Sequence, residues 1–362
     1  KMNETKNTYI FGDGRLSKIT ENQTFAEEMY YGYFELKKSY DTELIEVQRI
    51  ENKFRLFFSK VFTKFSGIGI HFVNEFSNSG RQRIFDSQEL FFGNQQILLS
   101  FLYLLPKLKN KNININVFAM GLLSGKNNFI YRLVMKYLFQ FTKRIIFISE
   151  VEYETAIKRY PDKARLFFYI PFGVDIDFWS DLKDIKDDNK SLLFVGNDLN
   201  RDYSFLAQLV EALPNLNFKV VSKRITNEEL NFDNVEIFNG DWHSNMVPDT
   251  KIREFYNSSS LTIIPLKNTI QPSGQSVCLQ SMACGTPVII TETEGFWNPN
   301  NFEDGSELYL LPSDLNEWII KINNLLETKK ELNATAKNAK AKILNHYNTK
   351  LFNQNLMKIL EI

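Results

Sequence analysis

Short apolar runs alternate with helical periodicities along the whole chain. In the first half NTYIFG (7–12), ELIEVQ (43–48), GIGIHFV (67–73), NININVFAM (112–120) and RIIFIS (144–149) read as strands. Several are almost continuously apolar, as strands covered on both faces are. Between them, apolar residues three and four apart predict helices over 24–38, 95–105 and 127–142, the first with Phe25, Met29, Gly32 and Leu36 on one face. Ser149 has the chemistry of an N-cap for a further helix, with Glu150 and Glu152 suited to its first turn. The charged stretch DLKDIKDDNK (181–190) breaks the rhythm and reads as a linker. The same grammar then restarts. SLLFVG (191–196), NFKVVS (217–222), NVEIFNG (234–240), LTIIPL (261–266) and TPVIIT (286–291) are strands, with helices over 203–213, 250–257 and a tail over 315–345. This alternation belongs to α/β proteins with parallel sheets. The expected architecture is two Rossmann-like domains, 1–173 and 174–345, with 346–362 a last helix packing back towards the first domain. Ligands of such sheets bind beyond the carboxyl ends of the strands.

Composition adds a charge asymmetry. The chain of 362 residues holds 43 basic and 43 acidic side chains, a balance that argues against nucleic acid as a partner. Residues 1–172 nevertheless carry 25 Lys and Arg against 17 Asp and Glu, and residues 52–149 carry 14 against 3. The first half therefore faces something anionic. In KFRLFFSKVFTKF (53–65), Phe54, Phe57, Phe58, Val61, Phe62 and Phe65 share a helical face flanked by Lys53, Arg55, Lys60 and Lys64. Such a stripe is either core or a basic aromatic helix lying on an anionic membrane surface. Arg132, Lys136, Lys143 and Arg144 add to the basic side. Cys278 and Cys284 point to different faces of one helix, which disfavours a disulfide and fits a reducing compartment. No apolar leader opens the sequence and no run nears the roughly 20 apolar residues of a membrane span, so the expected location is cytoplasmic, peripheral at the inner face of the membrane. With three histidines, and His243 unmatched by another His or Cys at ligand spacing, no metal site is expected.

The most informative segment is QPSGQSVCLQSMACGTPVIITETEG (271–295). A polar loop runs into a short helix, Gly285 ends it, and a buried strand follows. The free N–H groups and dipole of a helix N-terminus favour an anion, so Ser273, Gly274, Gln275 and Ser276 form a candidate cradle for a phosphate-bearing ligand. Gln280, four residues beyond Ser276, lies on the same face within reach of a sugar hydroxyl. The alternative is an ordinary loop–helix–strand corner. Gly12 and Gly14, after the first strand, either let backbone approach the same ligand or form a plain turn. No GxGxxG opens a βαβ unit, which argues against a dinucleotide-dependent dehydrogenase.

Four segments in order resemble the GT-B glycosyltransferases, specifically the retaining family 4 enzymes. IIFISEVEYETAIKRYP (145–161) is similar to the last strand and helix of their first domain, and IPFGVDIDFW (170–179) to the interdomain Gly–Val–Asp hallmark. LLFVGNDLNRDY (192–203) is similar to the phosphate loop, and QPSGQSVCLQSMACGTPVI to the donor-binding segment. The resemblance implies a GT-B fold and retaining, metal-independent transfer of a hexose. The donor would be a UDP- or GDP-sugar, with no further cofactor, and the hydroxyl acceptor would lie on a lipid or a surface glycan. Donor-binding residues implied are Gly12, Gly14, Asn197, Trp242, Asn245, Ser273, Gly274, Gln275, Ser276 and Gln280. Departures are also visible. Gln280 stands where the family keeps one glutamate, and Pro272 or Gln271 where it keeps the other. Asn197 and Asp202 hold the places of the family's phosphate-loop cations, leaving Arg201 as the adjacent catalytic cation, with Lys223 or Arg224 as a second. The family's first-domain histidine aligns near Met120, and His71 is the other candidate on the acceptor side. Asp175 and Asp177 sit inside the hinge hallmark and read as structural. The competing reading is a catalytically silent sugar-nucleotide or glycan-binding module of the same fold.

Overall fold

A computed structural model of the chain describes residues 3–180, 190–226, 228–240 and 247–361, with side chains from residue 6. The expected linker, apart from Lys190, lies outside the described residues. The chain forms two compact units: Lys1–Gln23 with Met29–Pro171 and Asn353–Ile362, and Thr24–Glu28 with Phe172–Phe352.

The first unit is built on a six-stranded parallel sheet of Asn3–Phe11 (β1), Tyr40–Glu46 (β2), Glu89–Phe92 (β3), Asn114–Ala119 (β4), Arg144–Phe147 (β5) and Phe167–Tyr169 (β6), in the order β2-β1-β3-β4-β5-β6. Tyr9, Ile10, Leu90, Val117, Ile145 and Ile146 are fully buried, which is why these strands lack polar alternation. The second unit repeats the plan with Ser191–Val195 (β7), Asn217–Val221 (β8), Val235–Phe238 (β9), Leu261–Ile264 (β10), Val288–Thr291 (β11) and Tyr309–Leu311 (β12). Their order is β9-β8-β7-β10-β11-β12, all parallel. The sheet thus winds outward in both directions from β7, and β7 with β10 bounds the switch point where such sheets take ligands. Its core centres on Trp318, fully buried, with its ring edge-on to Phe205 at 5.3 Å.

Local chemistry sets many helix starts. Asn52, Ser77, Asn94, Asn128, Ser149, Asp202 and Asp314 each accept a backbone N–H in the first turn of the helix that follows. Each such cap stabilises its helix by about 1 kcal/mol.

Several expected elements differ. The helix expected over 24–38 begins only at Tyr33, because Tyr31 and Gly32 both take positive φ and turn the chain. GIGIHFV is not a sheet strand. Gly67 ends the preceding helix at φ 78°, and the apolar Ile68, Ile70 and Val73 are buried from a loop; the strand of that region is ELFF, β3. The helix expected over 95–105 is broken after Ser100, and the tail over 315–345 is two helices, Leu315–Glu327 and Lys329–His346, parted at Thr328. The helix Lys53–Ser66 forms as expected, but its buried residues are Ser59 and Ser66, not the phenylalanines.

Candidate functional site

The switch point of the second sheet holds one buried cation. After β7 the chain turns through Gly196, and Arg201 pairs by an antiparallel bridge with Leu266, just beyond β10. Only 3 % of Arg201 is exposed. Its Nε and Nη2 donate to the carbonyl of Val195 at 3.4 and 3.3 Å. Nη1 lies 3.0 Å from Asp198 Oδ2, yet no N–H of Nη1 is directed along a hydrogen bond. Asp198 is itself fixed by accepting the backbone N–H of Asn200 and Arg201. The guanidinium is thus held from behind and from one side, with donor capacity left over. What it faces is Gly274. A Cβ built there would stand 3.5 Å from Nη1, and Gly274 takes φ 80° as the N-cap of the helix Gln275–Ala283. Gly196 is packed more closely still, since a Cβ there would fall 2.3 Å from Nε. Ser273, ahead of the cap, accepts from Asn200 Nδ2 at 2.8 Å, which ties the two loops together. A buried arginine whose Nη1 is ion-paired with Asp198 but makes no directed hydrogen bond, beside a helix N-terminus, is an arrangement with the chemistry to hold an anion.

Further along the same helix lies a buried polar network. Gln280 Nε2 donates to Glu28 Oε1 at 2.8 Å, and Tyr256 OH donates to Gln280 Oε1 at 3.3 Å. Glu28 also accepts from Trp179 Nε1 at 2.6 Å and from the backbone N–H of Asp175 at 3.2 Å. Burial pushes the Glu28 carboxyl up to about 7, against the opposing pull of these donors, of which Gln280 is the strongest. Asp175 is structural here: its carboxylate accepts the N–H groups of Glu27 and Phe178. The Cys278 thiol and Tyr256 phenol are both raised by burial and stay neutral.

Comparison with known proteins follows this geometry. A family described as glycosyl transferases group 1 matches residues 189–328, the span that contains β7 to β12 and the cradle. Residues 189–328 are a group 1 glycosyl transferase domain. The whole chain has the GT-B fold. It superposes on sucrose-phosphate synthase from Thermosynechococcus elongatus with a TM-score of 0.71 at 15% identity, covering 98% of each chain. It also superposes on Anabaena HepE in complex with UDP-glucose, with a TM-score of 0.70 at 15% identity, covering 99% of this chain and 100% of that one. A glycosyltransferase from Rickettsia africae gives 0.64 at 12% identity over 99% and 98%. No curated protein matches the chain by sequence.

Within the group 1 domain the structure brings together Arg201, Ser273, Gly274 and Gln275. Ser276 follows on the same first turn, half-buried. Asn197 is an organiser of the strand ends: its side chain accepts from Ser222 Oγ and Lys223 N and donates to the carbonyl of Gly240. Lys223 is exposed next to it. Both faces of the Gln280 amide are taken by Glu28 and Tyr256, and 8 % of the residue is exposed. Trp242 and Asn245, like His243, lie outside the described residues. In the first unit, Gly12 follows β1 with open space where a side chain would be, and Gly14 takes φ 95°. Glu46 holds that loop by accepting from the N–H groups of Arg15 and Leu16 at 2.5 and 2.6 Å. Met120 follows β4 directly and is half-buried, its backbone bonded to the Gln95 amide and its sulfur 3.8 Å from Tyr31 OH. His71 is exposed in a loop; partial desolvation of its ring holds its pKa down, against a bond to Gln96 that raises it. Among the described residues no group of three or more His, Cys, Asp or Glu could hold a metal ion, and no helix is long and apolar enough to cross a membrane.

Glu28, Asp198, Asn200 and Gly196 belong to these constellations and were not singled out from sequence. Asp198 was detectable, three residues before Arg201 in the turn after a strand. Glu28 carried no signal, because its partner Gln280 is 252 residues away.

Proposed function

We propose that the chain is a retaining, metal-independent glycosyltransferase that moves a hexose from a UDP- or GDP-sugar to a hydroxyl acceptor in glycolipid or surface-glycan synthesis. The observation that carries this reading is the Arg201 guanidinium, buried, ion-paired with Asp198 but without a directed hydrogen bond at Nη1, and facing the N-cap of the helix Gln275–Ala283. Transfer requires the leaving diphosphate to accumulate charge as its bond to the anomeric carbon breaks. A fixed cation and an oriented helix N-terminus stabilise that charge without reorganising, and one such donor is worth about 2.7–4 kcal/mol of barrier. The complex of Anabaena HepE with UDP-glucose supports a uridine donor. Lys223 supplies a second cation, and Gly12 and Gly14 let backbone approach the donor. His71 and Met120 are assigned to the acceptor side. The enzyme acts in the cytoplasm, at the inner face of the membrane where a lipid-borne acceptor is presented.

A second reading has a specific observation in its favour. Gln280 is a neutral side chain closed off by Glu28 and Tyr256, so the second turn of the helix offers no free group to a ligand through it. That arrangement fits a module that binds a sugar nucleotide without turning it over. Release of nucleoside diphosphate, measured over a panel of UDP- and GDP-sugars with glycolipid and glycan acceptors, separates the two. Turnover that falls a hundredfold or more in Arg201→Ala supports the enzyme. Nucleotide binding with no release from any donor supports the module and overturns the enzyme.

A further inference from the structure

The first unit presents a surface that the donor site leaves unexplained. The helix Lys53–Ser66 is inside out by the standards of a soluble protein. Phe54, Phe57 and Phe65 are 71, 61 and 54 % exposed, and Phe58 and Phe62 are 38 % exposed each. Its inner face is made by Ser59 and Ser66, whose hydroxyls are satisfied locally. Ser59 Oγ donates to the carbonyl of Arg55 at 2.9 Å and accepts from Phe72 N–H at 2.8 Å; Ser66 Oγ donates to the carbonyl of Phe62 at 2.7 Å. An amphipathic helix on a soluble domain buries its apolar stripe; this one buries two serines and shows five phenylalanines to solvent.

The face continues on the helix Phe129–Phe141, where Phe129 is 74 % and Leu133 50 % exposed. The two helices are joined directly. Lys126 Nζ donates to the carbonyl of Lys64 at 2.9 Å, and the Asn128 side chain donates to the carbonyl of Phe65. Lys53, Lys60, Lys64, Lys126, Arg132 and Lys136 are all exposed among these rings. Neither helix contains an Asp or Glu. Of the nearby acids, Glu51 is exposed just ahead of the first helix, Glu75 is engaged by Arg81 and Arg55, and Glu89 by Lys143 and Arg144.

We infer that this face docks the protein on the surface of an anionic phospholipid bilayer. Aromatic rings take the interfacial layer while lysine and arginine heads meet the phosphate groups, the division of labour of interfacial helices. An apolar patch of this kind marks an interaction site, and its predominantly positive rim favours an anionic surface. The inference extends the lipid-acceptor reading and rests on it for its purpose, while its geometry is independent of the donor site.

The test is co-sedimentation of the full chain with vesicles of equal parts phosphatidylcholine and phosphatidylglycerol, without donor or acceptor. Wild type is expected to sediment at low salt, to be released by high salt, and to ignore vesicles of phosphatidylcholine alone. Lys60→Glu with Lys64→Glu is expected to lower partitioning by at least about fivefold per lysine. Phe54→Ser with Phe57→Ser is expected to abolish sedimentation at intermediate salt. All four side chains are exposed, so circular dichroism and nucleoside diphosphate release with a soluble acceptor should stay at wild-type levels. Wild type remaining in the supernatant at low salt overturns the inference. So does equal binding to neutral vesicles, wild-type binding by both variants, or a dimer in solution that Phe54→Ser with Phe57→Ser dissolves. Vesicle binding by a chain that releases no nucleotide would leave the docking face standing and remove only the transferase.

Discussion

Replacing Glu28 by glutamine should change how the second unit responds to pH. Glu28 is 3 % exposed, and burial raises its carboxyl from 4.5 to about 7. A shift of that size, about 2.5 units at 1.36 kcal/mol each, is linked to about 3 kcal/mol of folding free energy. The folded value lies above the unfolded one. The contribution of Glu28 is therefore fully present below the unfolded value of 4.5 and is lost as pH rises through about 7. Glutamine does not titrate. Its amide sets an N–H against the donors Trp179 Nε1, Gln280 Nε2 or Asp175 N, at a cost of about 1–3 kcal/mol. That cost does not vary with pH and cancels when two pH values are compared. The stability of wild type relative to Glu28→Gln should then fall by about 3 kcal/mol between pH 4.5 and 8. Trp179, Trp297 and Trp318 lie in the second unit, so urea unfolding followed by tryptophan fluorescence reports that unit. A constant difference between the two proteins across this range, or one in which wild type gains as pH rises, would refute the assignment of a neutral, buried carboxyl.

Three further outcomes follow from the same geometry. Arg201→Ala should lower turnover by a hundredfold or more, as expected for loss of about 2.7–4 kcal/mol of charge stabilisation, with an unchanged circular dichroism spectrum; turnover near wild type would remove Arg201 from the chemistry. Gly196→Ala puts a methyl group 2.3 Å from Arg201 Nε and must displace the guanidinium; calorimetry should show UDP binding weakened by about tenfold, the effect of about 1.4 kcal/mol, and an unchanged affinity would show that Arg201 does not hold the diphosphate. Gln280→Glu sets a second carboxyl against Glu28 across a contact of 2.8 Å. The pair can hold only one charge at low cost, so the variant should match wild type in melting temperature near pH 5 and fall below it above neutrality, and a parallel pH profile would count against the contact.

Much of this protein was determined by the sequence itself. The buried strands β5, β7, β10 and β11 are mostly apolar runs, and β1, β4 and β8 carry short apolar stretches, patterns that need only local information. Ser149 and Asp202 cap helices by bonds to residues three positions on. The loop and helix start at 273–276 were legible because a polar loop, a helix start and Gly285 follow one another in the chain. Local reasoning failed where the chain bends on itself. Phe25 to Leu36 has helical spacing, but Tyr31 and Gly32 adopt positive φ to enter a fold the spacing does not encode. GIGIHFV alternates like a strand yet lies in a loop between the helix Lys53–Ser66 and the ribbon at Asn74–Glu75.

Two decisions belonged to the tertiary structure alone. Periodicity showed that the helix at 53–65 has an apolar face, but it could not show which way that face points. The protein buries the serines because their hydroxyls bond to nearby backbone, and leaves the rings outside. Likewise nothing near Glu28 announces Gln280. The two meet because residues distant in sequence close a buried site, and a buried carboxylate must find donors wherever the fold supplies them. Sequence sets what each segment can form; which groups share a low-dielectric interior is settled only when all segments are packed.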